Sequence, residues 1–566
     1  MTLAPAARAL AYLTRAVFLA RALAPRKTRP VDEVAPRPTV SSSRRNILFV
    51  TVDQQRFDAL GVNGGRIART PVVDGLARAG LSFRRAHVQN SVCMPSRSTM
   101  VTGQHPLTHG VVANGVSLPE DTPTVVHLLR AAGYRTALLG KAHFEPHLDP
   151  LLRFRENRLA AEGSVGPWRA FDHVELATHG PIVGQHYGAW LWRAHPEAIS
   201  GFGAVLTGAG GGDTGAPEVK HNPIARENYH TDWVADRTIA WLRGNAHAPF
   251  FCWMSFPDPH HPFDPPVREV RARLDWRDLP LPDGHPGSPE KIRAILSEKP
   301  RHWLDWYDGR HKNPEGGPTG FRPAQLTHDR LREVLAMIHV ENELIDEALG
   351  RVLDELRALG VEDQTDIFYT SDHGDLQGDF GLLFKGPYPV DSLLRVPLVW
   401  RPAPTAAIEA ASFDAPVGLL DLAPTFCAIA GVDRPAWMQG AVLPTTATEA
   451  MGRERVLSTF DSQFAAVGMH QRTLLRDGWL CTMYLPSTTD RGGAFPFYWR
   501  VWGRGSKLPR YDGTEGELYA LREDPHQWKN RWDDPSLRRL RDELVADLRD
   551  HLPEERSPPL RVDAPT

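Results

Sequence analysis

Four stretches of this chain are apolar at consecutive positions rather than at alternate ones. They are Asn46-Ile47-Leu48-Phe49-Val50-Thr51-Val52, Arg135-Thr136-Ala137-Leu138-Leu139, Pro249-Phe250-Phe251-Cys252-Trp253-Met254-Ser255 and Asp366-Ile367-Phe368-Tyr369-Thr370. A short continuous apolar run predicts a strand covered on both faces. Between these runs the pattern is helical. One helix opens at Thr122-Pro123 and closes at Gly133, a second covers roughly Asp232 to Arg243, and a long one extends from about Pro323 to Leu359. The first has a capping residue before it and a glycine after it. Strands alternating with helices predict an α/β fold whose sheet carries helices on both faces. Function is then expected at the carboxyl ends of the strands, where the loops converge. Asp53, Asp258 and Asp372 each follow such a strand almost immediately.

Two stretches break the alternation. Residues 145–230 and 262–322 are rich in Pro, Gly, His and Trp and only weakly periodic, which predicts insertions that build the rim of a pocket. Their tryptophans (Trp168, Trp190, Trp192, Trp303, Trp306) suit stacking on an aryl group, a sugar or a quaternary ammonium, although core is the commoner place for this residue. The glycine run Gly208–Gly215 lacks the Gly-Lys-Ser/Thr ending of a phosphate loop and reads as a flexible loop. Beyond residue 440, short β-like runs (Arg455–Phe460, Thr473–Leu475, Leu480–Tyr484, Glu517–Tyr519) precede an amphipathic helix near Ser536–Leu552. The expected organisation is a catalytic domain over 45–440 and a smaller α+β C-terminal domain over 441–566.

A chain of 566 residues exceeds a single small core, which agrees with more than one domain. Its 42% apolar and 23% charged residues are those of an ordinary globular protein. A net charge of −3 argues for neither nucleic acid nor an anionic membrane as partner. Four cysteines (Cys93, Cys252, Cys427, Cys481) supply no disulfide framework, so a reducing, cytoplasmic location is expected. Residues 1–44 read as a disordered or amphipathic extension. Arg8, Arg15 and Arg21 interrupt its apolar run from Ala6 to Ala24, leaving no stretch long enough for a membrane span or a signal-peptide core. Arg44-Arg45 leads into a strand rather than a cleavable apolar region, which makes export the minority reading.

Two strand ends carry chemistry side by side in the list of residues. Asp53-Gln54 and Asp372-His373 offer two carboxylates, an amide oxygen and an imidazole, a set suited to calcium, magnesium or manganese. Any one such Asp is often only a turn residue, and a lone Cys93 at a helix start is often only a small core hydrophobe. The surroundings of Cys93 say more. Cys93-Met94-Pro95-Ser96-Arg97, with Thr102-Gly103 and Pro106-Leu107-Thr108-His109-Gly110 behind it, resembles the maturation motif of the type I, formylglycine-dependent sulfatases of the alkaline phosphatase superfamily. Ser371-Asp372-His373-Gly374-Asp375 resembles the second metal motif of that superfamily. Gly140-Lys141-Ala142-His143 resembles its Gly-Lys-x-His motif, Pro259-His260-His261-Pro262 its Pro-His-x-Pro motif, and Phe384-Lys385-Gly386-Pro387 the segment of its later lysine. Gly516-Glu517-Leu518-Tyr519 with Asp524-Pro525 resembles a C-terminal turn of many sulfatases. The resemblance covers about a third of the chain, in the family's order.

The resemblance implies a large, mixed, mostly parallel sheet between helices and a set of roles. Cys93 becomes formylglycine, made by a formylglycine-generating enzyme, and its hydrate is the nucleophile. One divalent metal, calcium first and manganese or magnesium as alternatives, is held by Asp53, Gln54, modified residue 93, Asp372 and His373. Arg97 orients the hydrate, Lys141 and Lys385 offset charge, His143 takes a proton from the hydrate, and His260 or Lys385 protonates the leaving oxygen. His109 and His261 are either supporting residues or surface histidines. The expected substrate is a small sulfate ester. Asp53-Gln54 with Asp372-His373 departs from the Asp-Asp and Asp-Asn pairs of many sulfatases and looks like the variant of choline-sulfatase-like enzymes and phosphonate monoester hydrolases. The rival expectation is therefore a phosphonate monoester or phosphodiester hydrolase. Against it, those enzymes tend to have hydroxyl side chains where this chain has Lys141 and His143. A non-catalytic anion-binding relative is a third reading, opposed by the complete set of basic residues. The terminal helix and the N-terminal arm are candidate contacts for a homo-oligomer.

Overall fold

The computed structural model describes residues 44–564 except 148, 150–151, 181–184, 200–210, 312, 314, 316, 319, 463–468 and 487–509. The predicted extension 1–44, apart from Arg44, and the first three residues of the Gly208–Gly215 run lie outside the described residues.

Eight strands form the central sheet: β1 (Asn46–Val52), β2 (Leu81–Phe83), β3 (Arg135–Gly140), β4 (His173–Leu176), β5 (Phe250–Ser255), β6 (Thr365–Ser371), β7 (Leu398–Arg401) and β8 (Ala411–Phe413). Their order is β4-β3-β5-β1-β6-β7-β2-β8. β7 runs antiparallel to both its neighbours and every other pairing is parallel. The four apolar runs of the sequence are β3, β5, β1 and β6, the contiguous centre of the sheet. Side chains of a strand alternate between faces. Leu48, Val50 and Val52 of β1 join Cys252 and Met254 of β5 in one core, while Ile47 and Phe49 join Phe251 and Trp253 in the other.

Helices α1 (Cys93–Thr102), α2 (Val125–Ala131), α3 (His230–Asn245), α4 (His328–Ala358) and α5 (Leu422–Ala430) cover the two faces. α3 and α4 pack in the first core; α1, α2 and α5 belong to the second. α4 begins after Thr327, whose side chain accepts from the backbone N–H of Arg330, five residues beyond the start expected at Pro323. A helix-period pattern extends over Pro323–Gln325, but these residues form a separate short turn.

β4 lies inside the stretch 145–230, so that stretch adds an edge strand as well as loops. Its four residues His-Val-Glu-Leu alternate polar and apolar, too short a signal to stand out from the surrounding loops. Trp168, Trp303 and Trp306 are core residues. The C-terminal part forms an antiparallel sheet of β9 (Arg455–Asp461), β10 (His470–Arg476), β11 (Trp479–Leu485) and β12 (Gly516–Ala520), in that order. Helix α6 (Arg538–His551) sets Leu544 and Leu548 against Leu457, Leu474, Cys481 and Leu518 of this sheet. Leu475, Leu480 and Tyr519 point the other way, into the second core of the main sheet. Among the described residues no helix is long and apolar enough to cross a membrane.

Candidate active site

The parallel register of β1 and β6 pairs Val52 with Ser371, so the next residues, Asp53 and Asp372, emerge side by side at the carboxyl edge. Their backbones are tied there: Asp372 donates its N–H to Val52 O at 3.2 Å, and Asp53 donates to Asp258 O at 3.0 Å. Asp258 thus supports the site through its carbonyl, while its carboxylate is engaged by His230 Nε2 at 2.6 Å and by Thr231. Gln54 turns back in the left-handed region (φ 68°) and donates its N–H to Asp372 Oδ1 at 3.1 Å. Few non-glycine residues adopt such a conformation unless their surroundings enforce it.

Cys93 is the first residue of α1, which is buried along its whole length. Pro95 falls in the first turn, where a missing N–H is tolerated. Helical spacing aims residues 93, 96 and 97 the same way. Ser96 Oγ donates to Asp372 O at 2.5 Å, Arg97 Nε to Asp372 Oδ2 at 2.7 Å, and Arg97 Nη2 to Asp53 Oδ2 at 3.2 Å. The remaining Arg97 nitrogen donates to Ser255 Oγ at 2.9 Å and to Lys141 O at 2.8 Å. Cys93 Sγ lies 3.7 Å from Asp53 Oδ1, 3.2 Å from His373 Nε2 and 3.0 Å from Lys385 Nζ.

Lys141 follows β3, and its Nζ lies 2.5 Å from Asp53 Oδ2. Lys385 also reaches Gln54 Oε1 at 3.2 Å and His260 Nε2 at 2.7 Å. His261 stands beside Gln54, with 3.4 Å between Nδ1 and Nε2. His143 stacks on His147 at 3.8 Å and is fixed by its backbone N–H to Glu156. His109 is buried within the fold, where it bonds Thr99 Oγ1 at 3.0 Å and accepts the N–H of Val111.

The donors fit a divalent cation. Ligand atoms of Asp53, Cys93, Asp372 and His373 all lie within 4.8 Å of one another, and all four residues are buried. Each carboxylate commits Oδ2 to Arg97, leaving Oδ1 of both facing the cluster; His373 Nε2 is 3.7 Å from each Oδ1. His373 Nδ1 faces Gly374 O at 2.8 Å, the backbone contact that would leave Nε2 to ligate a bound cation. Sγ marks where an oxygen of modified residue 93 would stand.

Charge is balanced toward anion binding. Burial opposes ionisation of Asp53, but Lys141, Arg97, Lys385 and His373 outweigh it and hold the carboxyl well below its usual range. Burial and Asp53 push the Cys93 thiol up, yet Lys385, Lys141 and His373 bring it below its ordinary value. Burial and the nearby Lys385 hold His260 well below a normal imidazole, hence neutral. Lys385 keeps its proton: burial works against the charge, and Cys93 and Asp53 more than restore it. The first turn of α1 adds its aligned N–H dipoles behind residue 93.

Three supporting residues were given no role by the sequence. Ser255, the last residue of β5, and Asp375, which accepts from Gln54 Nε2, are signalled only by their places after a strand and after Asp372. His179, next to Lys141, follows the edge strand β4, which the sequence pattern does not reveal. A second group, Asp213, His221 and Glu333, is accounted for without a ligand: Glu333 accepts the N–H groups of Asp213 and Thr214 and so anchors the turn after Gly212.

A family model described as Sulfatase matches residues 45–148 and 180–432. An uncharacterized sulfatase, YidJ, from Escherichia coli is 26% identical over 521 residues, 91% of this chain and 88% of the relative. An arylsulfatase from Clostridium perfringens is 27% identical over 411 residues, 70% of this chain and 77% of the relative. In fold, the chain is similar to the phosphonate monoester hydrolase of Agrobacterium radiobacter, with a TM-score of 0.69, 24% identity, and 90% and 96% of the two chains covered.

Proposed function

The chain belongs to the sulfatase family and is a sulfuric ester hydrolase; from that premise we propose that it cleaves a small sulfate monoester, using residue 93 after conversion to formylglycine. A hydrated formylglycine would supply the nucleophilic hydroxyl, and a divalent cation held by Asp53, Gln54, residue 93, Asp372 and His373 would offset the charge on the ester; oxygen donors make calcium the first candidate. The observation that carries the reading is a buried cysteine at a helix start whose Sγ meets Lys385 and His373 and stands beside Asp53, with Arg97 and Lys141 bonded to Asp53 and His260 to Lys385.

The chain's own groups have separable tasks. Arg97 holds Asp53 and Asp372 in register. Lys141 and Lys385 bind the non-bridging oxygens and stabilise the charge that grows on them, commonly the largest catalytic contribution. Neutral His260 accepts a hydrogen bond from the Lys385 ammonium, so a proton is at hand for the departing alcohol oxygen. His143, also held neutral by burial and by His147, is the candidate base for release of sulfate. The floor of the site is closed to solvent on every strand end, which strengthens these interactions. A formylglycine-generating enzyme is the required partner of this chemistry.

Gln54 and His373 also support the second reading, hydrolysis of a phosphonate monoester or phosphodiester. The test is kcat/KM for an aryl sulfate and an aryl phosphonate monoester, on protein produced with the formylglycine-generating enzyme and with Cys93→Ala as blank. Sulfate preference abolished in the blank is the expected result, and the tryptic peptide Ala86–Arg97 should show the converted residue by mass. Phosphonate preference exchanges the two readings, and an unconverted thiol with no turnover overturns both.

A further inference from the structure

We propose that His179 is a positioning residue of this site, which sets Lys141 directly and Lys385 through His260, so that both ammonium groups meet the same anionic group. This rests on the reading of Lys141 and Lys385 as the groups that hold the ester. His179 lies between the two segments matched by the family model and in no motif of the chain. Its Nε2 is 3.0 Å from Lys141 Nζ. An ammonium can only donate, so Nε2 must present its lone pair and Nδ1 must carry the proton. A second proton of the same ammonium goes to Asp53 Oδ2 at 2.5 Å. With two of its three N–H bonds committed, the direction of the third is set.

The face of the same ring stacks on His260 at 4.2 Å with 19° between planes, and His260 stacks in turn on His261 at 4.1 Å. All three rings are half-buried, whereas Cys93, Lys141 and Lys385 beneath them are closed off. The three imidazoles therefore form one wall of the mouth. On its far side His260 Nε2 accepts from Lys385 at 2.7 Å. A continuous row, Asp53–Lys141–His179–His260–Lys385, connects the carboxylate edge to the leaving-group side, and His179 is its middle member. Bound anion would meet Lys141 and Lys385 on the two sides of His179, so displacing the centre of the row misaims both.

Two substitutions divide the roles. His179→Phe keeps the stacked ring and removes the acceptor; His179→Gln keeps an acceptor and removes the ring. Each is compared with wild type for kcat/KM on aryl sulfates whose phenols span a range of acidity, for inhibition by inorganic sulfate, and for thermal unfolding. His179→Phe is expected to weaken sulfate inhibition and lower kcat/KM by about 10–100-fold for every phenol, the scale of a misplaced binding group. His179→Gln is expected to keep sulfate inhibition near wild type and to lose rate selectively on the least acidic phenols, because His260 has lost its backing. Equal losses in the two variants with no dependence on the phenol would mean structural support only and overturn the proposal, as would unchanged kinetics. Wild-type preference for the phosphonate moves the same comparison to phosphonate esters and phosphate inhibition, with the same criteria. Wild-type protein that turns over neither ester and binds neither anion overturns the functional reading and this one together.

Discussion

Arg97 Nε donates to Asp372 Oδ2 at 2.7 Å, with both side chains wholly removed from solvent. The same guanidinium holds Asp53, so one side chain joins the helix bearing residue 93 to the ends of two adjacent strands. Breaking a buried pair by deleting one partner typically costs about 3–5 kcal/mol, because the other charge stays buried alone. Arg97→Ala should therefore unfold at a markedly lower temperature. Arg97→Lys keeps the charge but not the planar fork, and should cost about 10²–10³-fold in kcat/KM with a smaller loss of melting temperature. Activity and thermal unfolding measured on both variants check this; equal melting temperatures for Arg97→Ala and wild type would refute it.

Cation binding can be read without turnover. A ligand that binds only the folded state stabilises it by about 2.7 kcal/mol at one hundred times its Kd. Adding calcium to chelator-treated protein should raise the melting temperature, and Asp53→Asn or Asp372→Asn should abolish most of the rise. Repeating the titration with manganese and magnesium ranks the ions. A rise that survives in both variants would place the cation elsewhere.

Gly140 joins β3 to Lys141 with φ at +107°, and a Cβ there would overlap the carbonyl oxygen of Ser255. Backbone on backbone cannot yield by a rotamer change. Gly140→Ala should destabilise the fold by more than about 1 kcal/mol, the cost of a left-handed conformation alone, and shift Lys141. Denaturant unfolding together with sulfate inhibition measures both effects; wild-type values for both would show that the strand end is softer than its geometry implies.

Lys299 is buried against Trp303, Phe380 and Tyr519, and donates to Gln527 O at 2.7 Å. Burial lowers its pKa to about 8 despite Glu517 and Asp524. Below pH 8 folded and unfolded chains both hold the proton, and the full burial cost is present. Between about pH 8 and 10.5 the folded chain releases its proton first, so stability rises relative to a variant that does not titrate. The difference in unfolding free energy between wild type and Lys299→Met should shift in favour of wild type by up to about 3 kcal/mol across that window. Denaturation at pH 7 and pH 10 provides the comparison, and a constant difference would contradict it.

The central strands were legible because burial on both faces demands unbroken apolar runs, and Leu48, Phe49, Phe251 and Ile367 cannot sit anywhere else at low cost. The edge strand β4 and the reversed β7 were not, since a strand of four residues leaves too few positions for a period to register. Of the site, the sequence determined the chemistry on offer: Cys93, the Asp53-Gln54 and Asp372-His373 pairs and the basic residues of the motifs stand in a local order that the chain itself displays. Tertiary structure decided which of them meet. Asp258 follows a strand just as Asp53 does, yet its carboxylate is spent on His230 and Thr231. His179 belongs to no motif, yet it lies between Lys141 and His260. The reason is physical: residue type and local spacing set what a side chain can do, whereas strand order and register, fixed by contacts between segments hundreds of residues apart, set what it touches.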